Sequence, residues 1–266
     1  MSKFLKILVY IFAIIGFILV VGYLAIKSGL TNTKGIVDEQ ENFFQEQISS
    51  STQAWIDTEE WQVLKEAIEK DVEVINKVST ETGVPSRIII MPLVVEQLRL
   101  FYSQREIFKK VFAPLKILGN QSQFSWGVMG IKQETAIQIE ENLKDPKSPW
   151  YLGREFENML DLTTTDHNKE RFERLTDEKN RYFSYLYASL FIKELMTQWH
   201  NAGFPIDDRP EIIATLYNIG FDNSKPHANP LSGGARIMIG KTAYSFGSLA
   251  KSFYDSDELN YFYTTR

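Results

Sequence analysis

The chain has 266 residues, 44% of them apolar and 24% charged, a balance that supports a sizeable core and argues against long disorder. Its formal net charge of -5 provides no basic field to release counterions from phosphates, so nucleic acid is excluded as an expected partner. There are no cysteines, which removes disulfides, thiol nucleophiles and thiolate metal sites. The three histidines, His167, His200 and His227, lie far apart in sequence, so neither a metal site nor a cofactor is expected.

Residues 7–26 (ILVYIFAIIGFILVVGYLAI) form a run of 20 residues without a charge. At a rise of ~1.5 Å per residue such a helix spans about 30 Å, the thickness of a bilayer core. Lys3 and Lys6 precede the run and Lys27 follows it, a weak bias for a cytoplasmic N-terminus. Tyr10 and Tyr23 fall near its ends, where amphipathic rings favour the interface. The run exceeds the usual length of a signal-peptide apolar region, and no small-x-small site follows. The expectation is an uncleaved single-pass anchor over residues 1–27, in the cytoplasmic membrane, with the rest of the chain outside the cytoplasm. Residues 28–54 are rich in Gly, Ser, Thr, Gln and Glu and read as a polar stalk, leaving 55–266 as the domain.

From Trp55 to Val78, Trp61, Leu64, Ile68, Val72 and Ile75 recur at helical spacing, which predicts one amphipathic helix. The TETGVP stretch at 80–85 is a break. A buried helix is expected from about Pro92, since proline suits a first helical turn. Another helix is expected after residue 104 (EIFKKVF), followed by a loop with Pro114, Gly119 and Asn120. Helices are further expected over 134–143 and 181–200. Asp208 before Arg209 and Pro210 reads as a helix start, and Gly220 as its end. Residues 225–247 hold too many Pro and Gly for helix and suit a loop or short hairpin before a last helix at about 247–254. The fold expected is all-α.

Three stretches carry the chemical signal. Glu96 is a carboxylate in an apolar setting (MPLVVEQLRLF), where desolvation disfavours its charge, as a general acid requires. In SWGVMGIKQETA (125–136), two glycines flank a methionine just before a helix, so the backbone can approach a bulky ligand closely. In ATLYNIG (214–220), Tyr217 and Asn218 sit at a helix end, where a phenol can meet a carboxyl group and an amide can hold a sugar. Each also has an ordinary structural explanation: a Glu paired with Arg99 or Arg105, a loop-to-helix junction, and a buried Tyr beside a capping Asn.

Taken together and in this order, the three stretches resemble the lysozyme-like lytic transglycosylases, the soluble-lytic-transglycosylase domain of glycoside hydrolase family 23. The family's G-L-M-Q-I-x-P-x-T-A stretch is similar to GVMGIKQETA (127–136), and its A-x-Y-N-x-G motif to the stretch around LYNIG (216–220). The resemblance covers roughly 86–254 and implies a lysozyme-like fold, mainly helical with a small β element. It implies peptidoglycan glycan strands as substrate and Glu96 as the single acid/base, yielding 1,6-anhydro products. Tyr217 would position Glu96, while Ser125, Gly127, Met129 and Asn218 would line the glycan cleft. An envelope protein complex is a further partner the anchor would allow. Three residues depart from the pattern: Gln97 replaces the usual Ser, Gly130 the usual Gln, and Gln133 the usual Pro. The longer gap between Glu96 and Ser125 makes Glu106 a backup acid, with Glu134 a poorer one. Asp207, Asp208 and Asp222 read as capping or surface residues rather than the second carboxylate of a hydrolytic pair. The alternative is a catalytically inactive protein of the same fold that binds peptidoglycan or scaffolds a complex.

Overall fold

The computed structural model describes residues 53–102 and 126–263, together with Gly16, Phe17 and Val20. The helix expected from residue 104, its following loop, Glu106 and Ser125 lie outside the described residues, as do most of the expected anchor and stalk. The chain divides into two units, 1–48 and 49–266. In the first, Gly16, Phe17 and Val20 are helical. Among the described residues, no helix is long and apolar enough to cross a membrane.

The second unit is predominantly helical. In place of one helix over 55–78 there are two, α1 (Glu59–Lys70) and α2 (Val72–Thr82), hinged at Asp71. Asp71 leaves helical geometry at φ -100°, ψ 5°, and its carboxylate accepts from Arg181 at 2.8 Å and Tyr185 at 2.6 Å. These distant donors fix the kink, and no hydrophobic period reports them. Trp55 and Trp61 meet edge to face at 4.8 Å, and both lie within 6.1 Å of Phe253. The start of the domain is thereby packed on its last helix, and Ala54, assigned to the stalk from sequence, already donates to the Tyr244 hydroxyl.

Helix α3 runs Ser86–Tyr102, so the expected start at Pro92 is six residues late. Pro92 sits inside the helix, where it supplies no N–H to the Ile88 carbonyl. Burial on every side compensates, since each residue from Ser86 to Glu96 is buried. Pro85 just outside supplies the carbonyl that accepts from the Ile88 and Ile89 amides. Then come α4 (Gln133–Lys144), α5 (His167–Thr176, not anticipated from sequence), α6 (Tyr182–Asn201) and α7 (Pro210–Ile219). Arg209, rather than Asp208, occupies the N-cap of α7, with Pro210 in the first turn as expected. Strands β1 (Arg236–Ile239) and β2 (Thr242–Ser245) form one antiparallel hairpin, with Ile237 opposite Tyr244. A reciprocal Ser245–Ser248 capping box then starts α8 (Phe246–Tyr254). Helix α3 packs against α1, α2, α6, α7 and α8, which makes it the axis of the core.

Helix α5 is held by one carboxylate. Glu170 accepts from the Thr163 and Thr164 amides at 2.9 Å and 2.7 Å, from both threonine hydroxyls, and from Arg174. The Thr164 amide first, then the other donors, hold its carboxyl down at about 2, against an ordinary 4.5. A depressed folded value stabilises the fold fully above the ordinary range, and that contribution is lost as pH falls through about 2. The melting-temperature difference between wild type and Glu170→Gln should therefore be constant near neutrality and shrink from about pH 4.5 downward. A difference independent of pH would show that the charge of Glu170 contributes nothing.

Candidate active site

Glu96 lies in the second half of α3, with its side chain only 6% exposed. The next turn of the same helix carries Arg99, whose Nη2 donates to Glu96 Oε2 at 2.7 Å. The carboxyl group is thus held in a buried ion pair, the pairing with Arg99 that the sequence left open as its ordinary explanation. Among the described residues, Arg99 Nε is one of few buried side-chain nitrogens with no hydrogen-bond partner.

Over Glu96 sits the turn 126–131. Trp126 and Ile131 exchange backbone hydrogen bonds at 2.6 Å and 3.2 Å, and Gly127 and Gly130 adopt left-handed φ of 62° and 66°. A Cβ on Gly130 would stand 2.9 Å from Glu96 Cδ, so glycine lets the backbone lie against the carboxyl group. Two side chains pull on successive carbonyls of the turn: Gln97 Nε2 donates to Val128 at 2.7 Å, and the Tyr217 hydroxyl to Met129 at 2.8 Å. Gln97 and Tyr217 thus hold the turn by its carbonyls, and Gly130 lets its backbone lie on Glu96.

Tyr217, on α7, is buried against Phe191 with ring centres 5.1 Å apart. Burial, and then the charge of Glu96, push its phenol well above the ordinary value, so it stays a neutral donor. Its hydroxyl donates to the Met129 carbonyl, and its link to Glu96 is the charge that helps raise its phenol. The structure thus brings together Glu96, Met129, Gly130 and Tyr217 from three separate stretches. The Met129 side chain is fully buried and forms the turn's base. Gly127 approaches protein: a Cβ there would lie 1.9 Å from the Leu175 carbonyl oxygen and 2.8 Å from Ser184 Oγ. Gly127→Ala should therefore cost about 3 kcal/mol from left-handed strain and overpacking together. Chemical unfolding measures this, and a loss below ~1 kcal/mol would mean that the turn readily rebuilds. Asn218 Oδ1 accepts from the Ala235 amide at 2.8 Å, and neighbouring Thr215 Oγ1 accepts from Gly233 at 3.0 Å. These two bonds fasten the glycine-rich 231–235 loop to α7.

Compared with known proteins, the chain matches no family model, no curated protein and no solved structure. Local chemistry alone therefore bears on the site. Among the described residues, no group of His, Asp and Glu side chains is arranged to hold a metal ion. Sequence reading also missed Glu194 on α6, the most enclosed of the buried carboxyls described, with Asn142 Nδ2 donating to it at 3.2 Å. Burial raises it well above the ordinary value. Its setting, FIKELM, is nearly as apolar as that of Glu96, which was the available signal. Glu134, the poorer backup acid, lies exposed in the first turn of α4, and Asp207, Asp208 and Asp222, read from sequence as capping or surface residues, are exposed.

Proposed function

We propose that the protein is a membrane-anchored peptidoglycan lytic transglycosylase with a lysozyme-like domain outside the cytoplasm. It cleaves the β-1,4 bond between N-acetylmuramic acid and N-acetylglucosamine. The observation that carries this reading is the meeting at one buried carboxyl of the three stretches from which the resemblance was drawn. Protonated Glu96 donates its proton to the glycosidic oxygen as the C1–O4 bond breaks. The C6 hydroxyl of the same muramic acid attacks C1 and gives its proton to Glu96, leaving a 1,6-anhydro end and a protonated acid. One carboxyl group thus serves both steps and no water is consumed. Tyr217 and Gln97 hold the turn that shapes the approach to the acid. The 7–26 segment would place this chemistry next to the membrane.

The Glu96–Arg99 ion pair favours a second reading, a glycan-binding protein of the same fold that does not cut. Incubating the full chain in detergent with purified sacculi separates the two. Release of anhydro-muropeptides, identified by mass, supports the enzyme; retention on sacculi with no release selects the binding protein.

A further inference from the structure

Arg99 is placed to do more than neutralise a buried acid. A guanidinium offers a carboxylate two parallel N–H groups on its Nε–Nη2 edge, the geometry that makes arginine selective for carboxylates. Here that edge is half used: Nη2 donates to Glu96 Oε2 at 2.7 Å, while Nε is buried without a partner. A single N–H contact is the weaker way for a guanidinium to hold a carboxylate, and an unpaired buried donor adds a desolvation cost. The Arg99 side chain is 18% exposed against 6% for Glu96, so the arginine is the member of the pair nearer to solvent. Gly130 lies against the carboxyl group, so the resting arrangement both shields Glu96 and holds it in an ion pair. A proton donor needs neither condition.

We propose that Arg99 is a substrate-released latch, in which a carboxylate on the incoming glycan strand takes the Nε–Nη2 edge and displaces Glu96. Glu96 then takes up a proton from solvent and becomes the acid, while Arg99 holds the substrate's anionic group. The ligand class is a sugar bearing a carboxylate, either the lactyl carboxylate of muramic acid or one in its attached peptide. Arg99 thus binds substrate and at the same time frees Glu96, and its role rests on the glycan-cleaving reading of the site. In a latch, Glu96 and the substrate compete for one cation, so removing Glu96 must strengthen binding of anionic ligands only.

The full chain in detergent is titrated with three probes: the disaccharide N-acetylglucosaminyl-N-acetylmuramic acid, its peptide-bearing form, and neutral chitobiose. None contains the bond proposed to be cut. Glu96→Gln should bind the probe carrying the relevant carboxylate about tenfold more tightly than wild type, since the competing charge is gone, with chitobiose unchanged. Arg99→Gln should bind all three alike, and Arg99→Lys should restore part of the preference. Selective tightening by the free disaccharide assigns the lactyl group; tightening by the peptide form alone assigns the peptide. Equal changes for chitobiose and the anionic probes, or an unaltered preference in Arg99→Gln, would overturn the latch. Sacculus cleavage without selective tightening removes the latch and keeps the enzyme. Selective tightening without cleavage keeps the competition and removes the enzyme, and binding of no probe together with no cleavage removes both.

Discussion

Replacing Arg87 by methionine is expected to destabilise the domain by about 4 kcal/mol, the cost typical of stripping the partner from a buried charged network. Arg87, in the first turn of α3, is 1% exposed. Its Nε donates to the Tyr254 carbonyl at 3.0 Å, Nη1 to Glu258 at 2.7 Å and Leu259 at 3.2 Å, and Nη2 to Phe253 at 2.8 Å and Ser256 at 2.7 Å. All five N–H groups are thereby used on main-chain carbonyls. Two of these acceptors, Phe253 and Tyr254, belong to the last residues of α8, past the reach of its i to i+4 hydrogen bonds, and the Phe253 carbonyl also accepts from the Ser256 amide and hydroxyl. The cation also faces the negative end of that helix dipole. Methionine preserves much of the volume but returns no hydrogen bond, so the loss reports the guanidinium rather than a cavity. Lysine should recover only a small part, because a point charge cannot reach five carbonyls arranged around a plane. Denaturant unfolding followed by circular dichroism measures the effect, and a loss under 1 kcal/mol for Arg87→Met would show that the C-terminal segment rearranges to satisfy its own carbonyls.

The contrast between Arg87 and the helices shows what was legible in the sequence. Helices α4 and α7 were readable because local signals place them, an apolar period for α4 and, for α7, Pro210 at its start and Gly220 with φ 83° at its end. The hairpin was half legible: the glycines and prolines excluded helix, and the buried–exposed alternation of RIMI then reads as a strand. The break at Asp71 was hidden because its cause lies on α6, more than a hundred residues away. The start of α3 was misplaced because proline rules describe a helix that meets water, while burial on all sides outweighs one missing hydrogen bond. The candidate site divides the same way. Glu96, the 127–130 turn and Tyr217 were found from residue type and order. What those residues touch was readable only in part: pairing of Glu96 with Arg99 was one of the alternatives, and the structure shows it, while the partner of the Tyr217 hydroxyl is a backbone carbonyl that no sequence pattern reports.

Glu96→Gln should lower the rate of anhydro-muropeptide release from sacculi by about a thousandfold, within the range a positioned general acid contributes. The amide keeps the size of the side chain and one acceptor oxygen for Arg99, so the ion pair becomes an ordinary hydrogen bond and the turn above retains its seat. It cannot deliver a proton to the leaving oxygen or accept one from the C6 hydroxyl, so both halves of the single-carboxyl mechanism fail together. This separates the acid role from the latch. On the proposed function, loss of the acid should lower release whatever the ligand's charge, while loss of Arg99 should alter the preference for carboxylate-bearing sugars. A fully active Glu96→Gln variant beside an inactive Glu106→Gln variant would move the acid to Glu106 and leave the reaction class standing. Full activity in both variants would remove the single-carboxyl mechanism from this region, and Glu194, a fully enclosed carboxyl that burial raises, would be the next residue to replace. A melting curve for each variant keeps the comparison sound. Glu96 is packed by the backbone of Gly130, so a true loss of chemistry must appear with the folded domain intact.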